Sequence, residues 1–117
     1  RMERLTRRQA DLRQAAAESE AQAAETLARR HWRDAREALI LASARAAATR
    51  RLVGLEQKKF LAAQEDFKRG RASTDLLLRF QQDIRRAEAE LLRAEIDEKI
   101  GLFELARAGG ALSADIP

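Results

Sequence analysis

One interruption governs what this chain can fold into. No proline occurs from Arg1 to Arg69, and Ala, Glu, Arg, Leu and Gln dominate that stretch. Most of these residues lose little freedom on entering a helix. The segment Phe67-Lys68-Arg69-Gly70-Arg71-Ala72-Ser73-Thr74-Asp75 then breaks the pattern. Helical periodicity resumes behind it and runs to Ala108, where Gly109-Gly110 are expected to end it. Two long arms joined by one turn make an all-α fold, a long antiparallel α-helical hairpin of coiled-coil type. The expected organisation is a single hairpin over 1–117: arm one about 3–69, tip 70–73, arm two about 74–108, and a C-terminal tail 109–117. Charged residues at 36% and aromatics at 4% fit one such domain, not a chain with a rounded core.

Arm one carries a seven-residue repeat from Trp32 to Phe67. Steps of three and four reach Trp32, Ala35, Leu39, Ala42, Ala46, Thr49, Val53, Glu56, Phe60, Ala63 and Phe67, and only Thr49 and Glu56 are not apolar. That spacing averages 3.5 residues, the period of a coiled-coil seam. Four of these positions are alanine, which predicts close helix axes and a shallow interface. A second row lies beside the first: Ala38, Leu41, Ala48, Leu52, Leu55 and Ala62. Two adjacent stripes suit a helix set between two neighbours, as in a bundle or a barrel of helices.

In arm two the seam reads Leu77, Phe80, Ile84, Ala87, Leu91 and Ala94. Its next positions would be Glu98 and Gly101, so the seam is expected to fail there. Leu92, Ile96, Ile100 and Phe103 are expected to take over, with a change of partner or of supercoil geometry. Leu5, Leu12 and Leu27 are isolated among polar residues and alanine, so the first thirty residues predict helix with little burial. At 1.5 Å per residue arm one would be roughly 100 Å long and arm two roughly 50 Å, an overhang of about thirty residues.

Charge is divided between the arms. Residues 1–70 hold 16 Lys/Arg against 10 Asp/Glu, and residues 71–117 hold 7 against 9, so the arms attract modestly within a net charge of +4. Glu65 with Arg69 and Glu95 with Lys99 are favourable i,i+4 pairs on the sequence. At the turn, Gly70 suits a left-handed helix end, and Ser73 or Thr74 can cap the second helix. Asp75 places negative charge at that helix's positive end, and Lys68 and Arg69 place positive charge at the negative end of arm one. Gly54 is the one poor helix residue in the interior of arm one.

The residues of chemistry are sparse. His31 is the single histidine and there is no cysteine, which argues against a zinc site. No glycine-rich phosphate loop occurs, and no carboxylate is paired with a candidate nucleophile or base. No enzyme activity, cofactor or metal is expected. Arg and Glu are interleaved and Tyr is absent, unlike a nucleic-acid-binding face. No apolar run approaches the length of a membrane-spanning helix. Arg1 precedes Met2, so the chain is read as a piece of something longer.

At the turn, Phe67-x-x-Gly70-x-x-Ser73-Thr74-Asp75-Leu76-Leu77 resembles the periplasmic tip of TolC-like outer-membrane efflux proteins. Gln81, Ala87, Leu91, Ala94 and Ile100, closing in Leu105-Ala106-Arg107-Ala108-Gly109-Gly110-Ala111-Leu112, are similar to that family's last helix. Arg29 to Ala38 is similar to the start of its long helix before the tip, so the resemblance covers about residues 25–112. It implies the C-terminal helical hairpin of a homotrimeric channel for efflux or type I secretion. The hairpin would be a piece of a periplasmic helical barrel, packed on neighbouring helices. Its partners would be a periplasmic adaptor protein and an inner-membrane pump, and its location the periplasmic portion of an outer-membrane protein. Only β-barrel segments lying outside this chain would meet the membrane. By the same resemblance Phe67, Arg69, Gly70, Arg71 and Ser73 belong to the adaptor-contacting, gating tip, and Asp75 is a candidate for the lumen or gate. Phe67 stands where Tyr is commoner, Arg69 and Arg71 stand where small or apolar residues are usual, and Asp75 comes one residue early.

Two other readings share the hairpin. A periplasmic adaptor, or membrane fusion protein, also carries Ala/Gln-rich arms and a Gly-x-x-Ser tip, but its arms lie between halves of a lipoyl-like β domain. A generic coiled-coil oligomerisation scaffold would self-associate with no role for the turn. Nucleic-acid binding is the least favoured and would weaken steeply with salt.

Overall fold

The computed structural model describes residues 1–114, and helix accounts for nearly all of them. Helix α1 spans Met2–Lys68 and α2 spans Thr74–Ala114, with no strand among the described residues. The fold is the expected all-α hairpin, turning at 69–73. One boundary differs. Helix α2 continues through Gly109-Gly110, where its end was expected. A glycine inside a helix costs only about 1 kcal/mol, which surrounding contacts can offset. Of the expected tail 109–117, residues 109–114 are therefore helical, and 115–117 lie outside the described residues.

The chain divides into two compact units, one of residues 37–103 and one joining residues 1–36 to the chain from 104 onward. In the unit 37–103 the core is small. Ala46, Val53 and Ala63 of α1 and Ala87 and Ala94 of α2 are its buried side chains. Leu39, Ala42, Thr49, Glu56 and Phe60 of α1 are half-buried along the same line, as are Leu77, Phe80, Ile84 and Leu91 of α2. These are the two heptad seams read from the sequence. Such a seam removes little apolar area per residue, so its cohesion depends on close approach and dispersion contacts.

The two polar positions of the α1 seam are provided for. The Thr49 hydroxyl donates to the Arg45 carbonyl one turn back, at 2.7 Å. The Glu56 carboxylate is reached by Lys59 Nζ at 2.6 Å. Charge division between the arms appears as three ion pairs, Arg45–Asp97 at 3.8 Å, Arg50–Glu95 at 3.4 Å and Lys59–Asp83 at 3.0 Å. In all three the base is on α1 and the acid on α2. Glu95 thus turns to Arg50 and not to Lys99, and Glu65 pairs with Lys68 at 3.5 Å and not with Arg69.

The expected change of face near Ala94 does not occur. Glu98 remains half-buried and Gly101 buried, both on the original seam, while Leu92, Ile96, Ile100 and Phe103 stay exposed. Gly101 explains the continuity. A methyl group built on it would lie 3.4 Å from Leu39 Cδ1 and 3.5 Å from Leu39 Cα. The helices lie close enough there that a very small residue fills the seam position against Leu39. Apolar character alone placed the seam wrongly, because a glycine and the stem of a glutamate can occupy it.

In the other unit, residues 1–27 are exposed throughout, including Leu5, Leu12 and Leu27. Trp32 is half-buried, with the Arg36 guanidinium 5.9 Å from its ring centroid. A methyl group on Gly109 would lie 3.8 Å from Trp32 Cδ1 and Nε1, ordinary contact distance.

Candidate functional site

The end of α1 is closed by a complete Schellman motif. Arg71 N–H donates to the Asp66 carbonyl at 2.7 Å, and Gly70 N–H donates to the Phe67 carbonyl at 3.0 Å. This pattern requires a left-handed residue at its centre, and Gly70 has φ +76°. The Ser73 hydroxyl accepts from Leu76 N–H at 3.2 Å, capping α2, and the Ser73 carbonyl takes the first helical bond from Leu77 N–H at 3.3 Å. Ser73, not Thr74, is therefore the cap residue.

These bonds bring Phe67, Arg69, Gly70, Arg71 and Ser73 into one turn, and all five are exposed. Phe67 continues the spacing of the α1 seam but is 45% exposed, unlike the seam residues before it. Its ring is left at the surface beside the turn. Arg69 and Arg71 make no ion pair among the described residues. Asp75 lies exposed in the first turn of α2, where negative charge is favourable at the helix's positive end. Ala72 is the half-buried residue of the turn. The tip is thus rigidly bonded in its backbone and presents one aromatic ring, two free guanidinium groups and one carboxylate.

A second polar cluster lies midway along the hairpin and was not singled out from the sequence. Lys59 of α1 contacts Glu56 at 2.6 Å, Asp83 of α2 at 3.0 Å, and the face of Phe80 with Nζ 4.5 Å from the centroid. Glu56 Oε2 is buried and has no other partner among the described residues. The short Glu56 contact first, and then the Asp83 contact, hold the Lys59 pKa above the usual 10.5, with partial desolvation opposing them. The sequence does contain a signal for this cluster. An acid on an otherwise apolar seam needs a base within reach, and Lys59 is three residues on.

The third feature is apolar. On α1, Leu41, Leu52 and Leu55 of the second row are exposed, Leu41 by 72%. On α2, Leu92, Ile96, Ile100 and Phe103 are exposed, Phe103 by 70%. A monomer in water rarely leaves rows of this kind uncovered.

No protein-family model matches the chain, and neither a curated protein nor a solved structure is significantly similar to it.

Proposed function

We propose that this chain is a non-enzymatic wall element of a TolC-like outer-membrane channel for efflux or type I secretion. In this reading it is the channel's second periplasmic hairpin, and its tip docks a periplasmic adaptor coupled to an inner-membrane pump. The observation that carries the reading is the coexistence of two things. The arms already satisfy one another along a small-residue seam, yet each exposes a further apolar row. A hairpin that only had to fold on itself would need no second row, whereas a helix in a tube wall has a neighbour on each side. The tip sequence around Gly70 supports the same reading, because its turn is rigid while its side chains are free. Phe67, Arg69, Gly70, Arg71 and Ser73 would meet the adaptor, and Asp75 would stand near the inner mouth, where an acidic ring favours cations. Trimerisation would be supplied by the neighbouring hairpins of the assembled channel.

The coding sequence upstream of Arg1 tests this first. The expected result is an open frame that continues into an earlier, similar hairpin flanked by alternating strands and led by a signal peptide. The product of that frame should fractionate with the outer membrane as a trimer. A start codon a few residues before Arg1 would refute the proposal. So would upstream strands resembling half of a lipoyl domain, which belong to an adaptor.

A further inference from the structure

The charges of α2 are sorted by face. Between Leu76 and Phe103 its acids are Asp83, Glu88, Glu90, Glu95, Asp97 and Glu98. Glu98 is on the seam, and the other five lie within about 80° of the seam's centre at 3.5 residues per turn. Its bases over the same span are Arg79, Arg85, Arg86, Arg93 and Lys99, all exposed. These lie about 130° from the seam, on both sides of the outward face. No acid occupies that outward face in this span. At its middle are Ile96 and Phe103, while the exposed Leu92 falls in line with Arg85 and Lys99, and Ile100 in line with Arg79, Arg86 and Arg93.

Acids facing inward already have a purpose, because Asp83, Glu95 and Asp97 meet the bases of α1. The outward bases have none within the chain. Among the described residues none of the five makes an ion pair, although Glu95 stands four residues before Lys99. An apolar strip centred on Ile96 and Phe103, whose two edge columns carry bases and no acid, has the makings of a second coiled-coil seam, whose edge charges choose the partner.

We propose that the outward face of α2 takes an amphipathic helix of another polypeptide whose own apolar row is bordered by acidic residues. A second copy of this face is a poor occupant, since it would set base against base. The exposed row of α1 is no better, because Arg51 and Lys58 lie on that arm's outward side. A helix fits better than a lipid surface. Bases share both edge columns of the strip, at Lys99 beside Leu92 and at Arg93 beside Ile100, whereas interfacial helices bury a broad apolar face. The channel reading also covers this row with a neighbouring helix; the inference adds the charge that neighbour must carry and does not require a channel.

The test uses the full chain and two labelled synthetic helical peptides. Both have a leucine and alanine row; one is bordered by glutamate, the other by lysine. Fluorescence anisotropy should show the glutamate peptide binding about tenfold or more tighter at low salt, with the difference shrinking as salt is raised. The double change Arg93→Glu, Lys99→Glu should reverse the preference. Ile96→Ser should abolish binding of both peptides while circular dichroism remains unchanged, since Ile96 is exposed. The proposal is overturned by equal or absent binding of the two peptides, or by binding that survives Ile96→Ser. It is also overturned by stronger binding to phosphatidylglycerol vesicles than to the glutamate peptide. Self-association lost on Ile96→Ser would likewise overturn it, by assigning the face to a second copy.

Discussion

Gly54 and Gly70 offer the same chemical perturbation with opposite expected outcomes. Replacing either with alanine adds one methyl group, and at neither site would that methyl meet another atom within 4 Å. Packing is therefore removed from the comparison, and backbone conformation remains. Gly54 lies in the interior of α1 without a positive φ. Alanine there lowers the conformational freedom of the unfolded chain and favours the helix, a gain of about 1 kcal/mol. Gly70 has φ +76°, where a Cβ crowds the following carbonyl oxygen, so alanine costs about 1–2 kcal/mol. Thermal unfolding followed by helix ellipticity is the assay. At this chain length the midpoint should rise by about 4 °C for Gly54→Ala and fall by about 4–8 °C for Gly70→Ala. Shifts of the same sign would refute the reasoning. They would mean either that α1 is not continuous through Gly54 or that the turn does not hold Gly70 in the left-handed region.

Three further expectations rest on single contacts. Ala94 is fully buried on the α2 seam, so Ala94→Leu should destabilise the hairpin by about 1–3 kcal/mol in urea titration, whereas the exposed Ala89→Leu should be nearly neutral. Ser73→Ala removes the cap of α2 and should cost about 1 kcal/mol in the same titration. The pKa of Lys59 is raised in the folded chain, so its contribution to stability is complete below the unfolded value near 10.5 and is lost as pH climbs through the higher folded value. Urea midpoints of the unaltered chain should therefore approach those of Lys59→Met only above pH 10.5, and a gap that closed near neutrality would contradict this assignment.

The hairpin itself was legible because its signals are local and redundant. A glycine three residues after Phe67, a serine before Thr74 and a heptad line on each arm all require the same turn. The α1 seam from Trp32 to Ala63 was readable for the same reason, since period and apolar character agree there. They disagree at Glu98 and Gly101, and there the expectation of a new face failed. A seam position is defined by geometry, and a glycine can occupy it where the helices lie close. The second helix ran past Gly109-Gly110 because a helix end depends on its surroundings as well as on its composition. The Lys59 cluster is only half legible: Glu56 stands out on an apolar seam with Lys59 one turn on, but Asp83 and Phe80 join it only through the pairing of the two arms. At the tip, the backbone roles of Gly70 and Ser73 were readable from residue type, while the exposure of Phe67, which keeps the seam spacing, was not.

The seam's composition has a mechanical consequence. Alanine supplies four of the five buried side chains of the seam, and small side chains leave shallow notches that give little resistance to one arm sliding along the other. Alignment along the axis then falls to the few places where something interlocks. Leu39 seated over Gly101 is one such pin, and Lys59 held between Glu56 and Asp83 is another. Leu39 and Lys59 are twenty positions apart on α1, so the two pins gauge the arm's length. Inserting a single residue between them would rotate one pin by about 100° relative to the other, and both could not be engaged at once. The arm is therefore free to vary in which residues it carries between the pins but not in how many.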